Sequence, residues 1–207
     1  MALQNLTEPG LAETRIMLVD DQADRAAMLE TNLKALGFEV VSVLASASGL
    51  LYQMQQLEPH VIMIDIDSPD RDILESLALI NQHHPLPVVM FSSREDPDFI
   101  QQAVRSGVSA YMTESLNPAK VRPILEVAVA QFEHFQRLRS ELNSTQQKLN
   151  DRDAIEKAKR LLMKQQRMTE EEAYKKMRTL AMNNSQPLVR VAENIIAILD
   201  NPQRNAS

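Results

Sequence analysis

The chain has no cysteine among its 207 residues, and this excludes disulfide bonds, thiolate catalysis and zinc sites built on cysteine. It also lacks any apolar run that approaches the length needed to span a membrane. The residues before Arg15 do not show the basic-then-apolar order of a signal peptide. Together these absences predict a soluble, cytoplasmic protein.

Charge is distributed unevenly along the chain. The net charge is −6, and 44% of the residues are hydrophobic, which is enough to bury the cores of two modest domains. Residues 151–207 carry 11 Lys/Arg against 8 Asp/Glu, whereas residues 1–150 carry 11 against 20. An acidic body with a basic C-terminal part favours a regulatory domain joined to a domain that binds a polyanion.

Short apolar runs alternate with amphipathic stretches over residues 15–130, after an N-terminal tail of residues 1–14. The predicted strands are Ile16–Val19, Glu39–Val43, Val61–Ile64, Val88–Phe91 and Ala110–Met112. The predicted helices between them are Arg25–Leu36, Ser46–Leu57, Arg71–Asn81 and Asp98–Ser106. This alternation predicts an α/β domain with a doubly wound, five-stranded parallel sheet, which binds ligands at the carboxyl ends of its strands.

Acidic residues follow two of these strands directly. Asp20 and Asp21 come after the first strand, and Asp65 comes after the third. We expect the three carboxylates to converge at one edge of the sheet, where their oxygens can hold Mg²⁺. Ser92 closes the fourth strand and can contact an anion at the same edge. Beyond this Mg²⁺, no cofactor is expected.

Four segments of this domain occur in a characteristic order: IMLVDD, VIMIDIDSP, VVMFSS and GVSAYMTES. They resemble the receiver domain of bacterial response regulators, which has the CheY/flavodoxin-like fold, over essentially all of residues 15–130. The resemblance implies that Asp65 accepts phosphate from a two-component phosphorelay. It also implies that Asp20 and Asp21 help to hold the metal and that Ser92 senses the phosphoryl group.

Two adjacent positions depart from that family. The lysine that follows the fifth strand of receiver domains would fall at Glu114, and the next proline at Ser115. That lysine pairs with the phosphoryl group, so a carboxylate puts negative charge where positive charge is required. At roughly 4 Å and an effective dielectric constant of about 20, one such charge is worth about 4 kcal/mol. Two alternatives stay open: a degenerate pocket that binds at most a cation, with a protein partner driving the switch, or a working phosphorylation site at Asp65.

A long helix is predicted after residue 118, because glycine is absent from there onward. Its apolar residues follow the 3–4 spacing of a two-stranded coiled coil at Phe135, Leu138, Leu142 and Leu149, with Thr145 at the missing step. We therefore predict a coiled-coil linker at residues 131–152 and a homodimer. The alternative is one amphipathic helix that packs back on its own α/β domain.

The coiled coil is expected to continue without a break into a cationic helix that ends near Arg167. Four cations share one face of this helix, namely Lys157, Arg160, Lys164 and Arg167. The other face carries the apolar residues Ile155, Ala158, Leu161 and Leu162. A helix that buries one side and holds four cations in water on the other is suited to meet a polyanion.

Two further helices complete a predicted three-helix bundle. Thr169 and Glu172 form a capping box at the start of the first, whose inward residues are Ala173, Met177, Leu180 and Ala181. A turn at residues 183–185 leads to the next helix, with Pro187 in its first turn. The apolar residues of this last helix are Leu188, Val191, Ala192, Ile195, Ile196 and Leu199.

The run AIEKAKRLLMKQQRMTEEEAYKKMRTLAMNNSQPLVRVAENII resembles the ANTAR domain, the RNA-binding module of transcription antiterminators. The resemblance covers residues 138–199 and leaves a C-terminal tail of residues 200–207. Arg160 stands where that family often has glycine. Receiver, coiled coil and ANTAR in this order are similar to the AmiR/NasT family, and DIDSPDRD and GVSAYMTES are similar to its nitrate- and nitrite-responsive, NasT-type members.

The resemblance implies a regulator that is not an enzyme. Such a protein binds a leader RNA with two hairpin loops and prevents the terminator from forming. RNA polymerase, which takes part only indirectly, then reads into nitrate- or nitrite-assimilation genes. The implied partner is a nitrate- or nitrite-sensing, NasS-like protein. The rival interpretations are a DNA-binding response regulator switched by phosphorylation at Asp65, and a plain interaction adaptor.

The candidate RNA-binding residues are the cations of the bundle, since phosphate neutralisation supplies most nucleic-acid affinity. They are Lys157, Lys159, Arg160, Lys164, Arg167, Lys175, Lys176, Arg178 and Arg190. The alternative is that such cations pair with nearby acids, as Glu171 and Glu172 can with the lysines four residues on. Tyr174, the only aromatic residue of the bundle, either stacks on an RNA base or caps the core.

Overall fold

The computed structural model describes residues 14–67, 69, 71–114 and 118–200. The predicted N-terminal tail, except for Thr14, and the predicted C-terminal tail, except for Asp200, lie outside these residues, as does Ser115. By its internal contacts the chain divides into two compact units, Met1–Gln136 and Arg137–Ser207. Among the described residues, no helix combines the length and apolar character that crossing a bilayer requires.

The first unit contains the predicted parallel sheet. Its strands are β1 (Arg15–Asp20), β2 (Glu39–Leu44), β3 (Val61–Asp65), β4 (Val88–Phe91) and β5 (Ala110–Met112). They lie in the order β2-β1-β3-β4-β5, and every neighbouring pair is parallel. The five-stranded, doubly wound fold is therefore confirmed, with each strand within one residue of its predicted bounds.

Helices cover both faces of this sheet, because its central strands are apolar on both sides. These helices are α1 (Ala23–Ala35), α2 (Leu50–Leu57), α3 (Arg71–His83) and α4 (Pro97–Arg105). The core on one face includes residues from α2, α3 and α4. The core on the other face includes residues from α1 and from the first turns of the long helix that follows β5. Helix α2 begins four residues later than predicted, because Gly49 precedes it with a φ of 80° and interrupts the helical backbone.

The next helix, α5 (Pro118–Gln166), is a single α-helix of 49 residues that contains Pro123. The unbroken passage from the linker into the cationic helix is therefore confirmed. The side chains of the predicted seam are exposed by half or more: Phe135 by 59%, Leu138 by 50%, Leu142 by 69% and Leu149 by 52%. The coiled coil and the homodimer stay predictions.

The second unit has its own core, built from the end of α5, α6 (Glu170–Asn183) and α7 (Leu188–Leu199). Ala158, Leu162, Met177 and Ala192 are buried there, as the predicted helical spacing requires. The position of Leu180 was predicted wrongly. It is 37% exposed, because Met177 and Ala181 face the core one helical turn apart and leave it at the edge.

The N-terminal cap of α6 was predicted correctly, whereas that of α7 was not. The capping box is confirmed: the Thr169 hydroxyl accepts from the Glu172 N–H, and the Glu172 carboxylate accepts from the Thr169 N–H at 2.8 Å. Pro187 is the N-cap of α7 and does not lie in its first turn. Its extended backbone, with ψ of 146°, places it just outside the helix.

Candidate acidic pocket and nucleic-acid interface

Asp20 and Asp65 are the last residues of β1 and β3, and they pair with each other in the strand register. Both are buried, with 2% and 5% of their surface exposed. Asp21 and Asp67 follow them at the rim and are more exposed. The predicted convergence of carboxylates at the carboxyl ends of the strands is therefore present.

Arg25, which the sequence did not predict as a site residue, lies at the centre of this pocket. Its Nε lies 3.1 and 3.0 Å from the two oxygens of Asp20, and its Nη2 lies 2.9 Å from Asp21 Oδ1. The same guanidinium approaches Asp65 Oδ2 at 3.5 Å and Asp67 Oδ2 at 3.4 Å, and it donates to the Asp65 carbonyl oxygen at 2.9 Å. One cation from the first turn of α1 therefore contacts four acidic residues.

Burial and charge act on the ionisation of this pocket in opposite directions. Burial raises the pKa of Asp65 to about 6, against a lowering by Arg25 and a further raising by the other three carboxylates. Burial lowers the pKa of Arg25, but its hydrogen bond to Asp20 and the carboxylates around it outweigh burial and raise the pKa above its ordinary value. Arg25 is thus charged at every physiological pH.

The predicted magnesium ligands are together, but both carboxylate oxygens of Asp20 and one of Asp21 are engaged by protein donors. Both oxygens of Asp20 accept from Arg25, and Oδ1 also accepts the Gln22 N–H at 2.8 Å. Asp21 Oδ1 and the Asp65 carbonyl are bound to the same guanidinium. Within the described part of the chain, no group of three or more acidic or histidine side chains has an arrangement that could hold a metal ion. The donor set of this pocket does not fit Mg²⁺ while Arg25 lies in it.

Ser92, predicted as a switch residue, is buried beside the pocket. Its hydroxyl donates to the Asp67 carbonyl oxygen at 3.3 Å and accepts the Arg94 N–H at 3.3 Å. The hydroxyl of Ser93 donates to the same carbonyl at 3.2 Å. These bonds hold the loop after β3 against the loop after β4.

Glu114, the second predicted switch residue, has a side chain that is 81% exposed. Its Oε2 lies 3.2 Å from Lys120 Nζ at the start of α5. A cleft of about 140 Å³ has Glu114, Arg25 and Asp65 in its lining. The Glu114 carboxylate therefore lies at the mouth of the pocket, as the sequence predicted, and it forms an ion pair with Lys120.

Three of the four cations predicted to share one helix face, Lys157, Arg160 and Lys164, lie on α5. Lys157, Arg160, Lys164 and Arg167 are exposed, while Ala158 on the opposite side is buried. The predicted place of Arg167 on the same helix face was wrong, because Arg167 follows the last helical residue and has a φ of 53°. Positive charge thus faces solvent on the side of α5 away from the bundle core.

Lys159 does not belong to this surface. Its side chain is only 10% exposed, and its Nζ lies 2.6 Å from Glu156 Oε1 and 2.7 Å from Glu170 Oε1. The hydrogen bonds to these two carboxylates raise the pKa of Lys159. It joins α5 to the start of α6, so for this candidate the structure supports the alternative that bundle cations pair with nearby acids.

Local pairing occupies some of the other cations. Lys157 Nζ lies 2.5 Å from Asp200 Oδ2, and Arg190 pairs with Glu193 at 2.9 Å. Lys176 donates to Gln166 Oε1 at 2.6 Å, whereas its expected partner Glu172 serves the helix cap. The candidates that form no ion pair with any described residue are Arg160, Lys164, Arg167, Lys175, Lys176 and Arg178, and of these Lys176 is hydrogen-bonded to the neutral side chain of Gln166.

Tyr174 is 44% exposed and lies outside the bundle core. Its neighbours in sequence and on the next turn, Lys175 and Arg178, are exposed as well. Of its two predicted roles, capping the core is wrong. The second unit therefore offers an exposed aromatic ring beside two cations without ion pairs.

The strand order, the buried pair of aspartates at the strand ends and the separate helical bundle define a receiver-type regulator with a C-terminal output module. Residues 16–126 match the family model of the response regulator receiver domain, and residues 143–196 match that of the ANTAR domain. The chain belongs to the response regulator receiver domain family. More specifically, it is an ANTAR-containing response regulator.

Curated relatives agree with this assignment. The chain is 25% identical to the transcriptional regulatory protein PdtaR of Mycobacterium tuberculosis over 189 residues, which are 91% of this chain and 92% of PdtaR. It is 28% identical to the transcriptional regulatory protein KdpE of Staphylococcus aureus over 115 residues, which are 56% of this chain and 49% of KdpE. The likeness to PdtaR thus extends through both units, whereas that to KdpE covers about half of each chain.

Solved structures show the fold of the first unit. The signal receiver domain of a modulated diguanylate cyclase from Desulfovibrio desulfuricans superposes with a TM-score of 0.51 at 22% identity. That match covers 57% of this chain and 95% of the receiver domain. A pilus assembly-related protein from Burkholderia pseudomallei gives a TM-score of 0.54 at 20% identity, over 60% of this chain and 95% of its own.

Proposed function

We propose that this chain is an RNA-binding transcription antiterminator. The observation that carries the proposal is the set of cations on the ANTAR-matching unit that have no ion pair among the described residues. A cation already paired with a carboxylate must give up that pair to bind a phosphate, whereas Arg160, Lys164 and Arg178 need not. They lie on a unit whose core is complete without them, so their charge is free to serve a ligand.

In this proposal the ligand is a leader RNA with two hairpin loops, and a homodimer presents one bundle to each loop. The exposed apolar seam of α5, including Leu138 and Leu142, supports the dimer, because side chains of this size at 3–4 spacing gain from burial against a second helix. Occupation of both loops prevents the terminator hairpin from forming. RNA polymerase then continues into the downstream genes.

We further propose that a protein partner controls this activity in place of a phosphorelay. Glu114 stands at the mouth of the pocket and opposes a phosphoryl group on Asp65. By resemblance to NasT-type antiterminators, the partner is a nitrate- or nitrite-sensing, NasS-like protein, and the controlled genes serve nitrate or nitrite assimilation. Labelling with acetyl phosphate tests this part: strong labelling that is lost in Asp65→Asn and that tightens RNA binding would contradict it.

RNA binding is tested by fluorescence anisotropy of the full chain with a two-hairpin leader RNA and with duplex DNA. We compare the wild type with the double variant Arg160→Gln and Lys164→Gln across salt concentrations from about 50 to 200 mM. The variant is expected to bind more weakly. The slope of log K against log salt should become shallower by about 0.7 for each lost contact to a single-stranded phosphate.

A matched control removes two cations elsewhere, with Lys34→Gln and Arg71→Gln on the exposed surface of the first unit. It changes the net charge equally and should leave the affinity and the salt slope as in the wild type. Preference for duplex DNA over the leader RNA would favour the DNA-binding alternative. An equal loss in both double variants would mean that only net charge matters, and the interface would then be wrong.

A further inference from the structure

Arg25 occupies the pocket in which the resemblance to receiver domains predicts a divalent cation. Its guanidinium nitrogens lie 2.9 to 3.5 Å from oxygens of Asp20, Asp21, Asp65 and Asp67. Its side chain is only 21% exposed, whereas that of Asp20 is fully covered. A cation in this position neutralises part of the charge that would otherwise draw in a metal ion.

We propose that Arg25 is a permanent, built-in counter-ion of the acidic pocket and that it excludes Mg²⁺ from it. The proposal does not depend on RNA binding, since it concerns the first unit only. It explains how a buried pair of aspartates, Asp20 and Asp65, is held on neighbouring strands without a metal. The receiver fold then has the same pocket at every metal concentration.

The geometry makes the two cations mutually exclusive. Mg²⁺ requires oxygen ligands at about 2.0 to 2.1 Å in an octahedral arrangement. The Asp20 oxygens that would supply them accept from Arg25 Nε at 3.0 and 3.1 Å, so a metal bound to them would overlap the guanidinium. Gln22 completes the enclosure: its backbone N–H donates to Asp20 Oδ1, and its side-chain amide donates to Asp67 Oδ2.

The tether gives Arg25 an advantage over a dissolved ion. It lies in the first turn of α1, four residues after Asp21 and five after Asp20, so folding itself delivers it to the site. Its binding is intramolecular and needs no free ligand. The guanidinium is also weakly hydrated, whereas Mg²⁺ gives up its water reluctantly.

The proposal also bears on phosphoryl chemistry. A phosphoryl group on Asp65 needs cations around its oxygens. With Glu114 in the place of the lysine and Arg25 in the place of the metal, the positive charge left in the pocket is already committed to the carboxylates. The pocket is therefore a fixed structural element, and signals reach this domain through its surface.

Two measurements on the full chain test the proposal. Mn²⁺ binding is monitored by the loss of the free-ion signal in electron paramagnetic resonance, and thermal unfolding is measured in EDTA and in Mg²⁺. The wild type is expected to bind no Mn²⁺ at the pocket and to keep the same Tm in both solutions. Arg25→Ala should bind one Mn²⁺ per chain and lose stability in EDTA, and Mg²⁺ should restore part of that stability. Arg25→Gln, which keeps most of the side-chain volume, provides a second variant in case Arg25→Ala does not fold.

Two controls make the outcome specific. Arg71→Ala removes an exposed arginine of the same unit and should behave as the wild type. Adding Asp20→Asn to the Arg25→Ala variant should abolish the new Mn²⁺ site. The proposal is overturned by one Mn²⁺ bound per wild-type chain and lost in Asp20→Asn, a measurement that needs no Arg25 variant. It is also overturned when folded Arg25→Ala and Arg25→Gln bind no metal, because Arg25 would then not be what excludes it.

Discussion

Arg25 Nε lies 3.0 Å from Asp20 Oδ2 but 3.5 Å from Asp65 Oδ2, so the cation is shared unequally between the two buried aspartates. Asp20 takes two nitrogens of the guanidinium, whereas Asp65 faces it at longer range and remains buried among other carboxylates. The consequence is a pKa of about 6 for Asp65. Ionisation of Asp65 therefore lowers the free energy of unfolding.

The first prediction concerns this ionisation. The pKa of Asp65 is raised from 3.8 to about 6, so the folded chain binds more protons than the unfolded chain between these values, and stability falls as the pH rises through them. Asp65→Asn removes the destabilisation that comes from ionising the buried carboxyl group. We expect it to raise the free energy of unfolding by roughly 1 to 3 kcal/mol above pH 6, with the difference shrinking towards pH 4.

Urea unfolding of wild type and variant at several pH values measures this difference. Glu126→Gln, at an exposed position of α5, is the control and should show no comparable gain. A variant that is equally destabilised at all pH values would mean that the carboxylate contributes more through its bonds to Arg25 than its burial costs.

The second prediction concerns the capping box of α6. Thr169→Ala removes the hydroxyl that accepts from the Glu172 N–H, and it should cost about 1 kcal/mol of the stability of the bundle. Thr169→Ser keeps the acceptor and should stay close to the wild type. Hydrogen exchange of the α6 amides reads out this unit separately from the sheet, and equal protection in both variants would contradict the role of the cap.

The third prediction separates two adjacent cations. Lys159→Ala leaves Glu156 and Glu170 without their common partner and should lower the Tm, with no change in the salt slope of RNA binding. Arg160→Ala should leave the Tm unchanged and weaken RNA binding. The two variants remove the same charge one residue apart, so each is the control for the other. The reverse pattern would show that Lys159 reaches RNA and that its ion pairs are incidental.

The fourth prediction concerns the exposed ring of Tyr174. If it stacks on a loop base, Tyr174→Leu should cost about 1 to 3 kcal/mol of RNA affinity, while Tyr174→Phe should retain most of it. Tyr52→Leu, which removes an exposed tyrosine of the first unit, should have no effect. Fluorescence anisotropy with the leader RNA measures all three, and an unchanged affinity in Tyr174→Leu would restrict RNA contacts to the cations.

The fifth prediction concerns the seam of α5. Leu142 is 69% exposed in the single chain, and Leu142→Asp should shift the chain from dimer to monomer because it places charge in the middle of a short coiled coil. Leu79→Asp, at an exposed leucine of α3, is the matched control. Sedimentation velocity reports the state of each. A wild type that sediments as a monomer at all concentrations would remove the dimer from the proposed mechanism.

Strands and buried helix faces were predictable because they depend on local periodicity. Val88–Phe91 and Ala110–Met112 have the predicted bounds, since each is a short apolar run between polar residues. The start of α2 was not predictable in the same way. Ser46 fits a helical pattern, and only the positive φ of Gly49 delays the helix.

Contacts between distant residues were harder to predict. Arg25 reads as an ordinary exposed residue of an amphipathic helix, and a pattern confined to α1 does not reveal that it reaches Asp65, forty residues away on β3. Lys159 was predicted as an RNA-binding candidate from its charge and its position on the cationic helix. Its burial depends on Glu170, which α6 brings beside it. For Arg25 the signal available was the group of acids after β1 and β3, which required a cation nearby.

The sequence alone determined the two units, the parallel sheet, the gathering of acids at its edge and the positive side of the bundle, because each follows from the spacing of residue types along one segment. Only the tertiary structure decided which charges meet. Arg25 became the centre of the acidic pocket and Lys159 a buried link between helices, while Arg160 was left facing water. The reason is physical: an ion pair depends on the distance between side chains that different elements carry, and that distance is set when those elements pack.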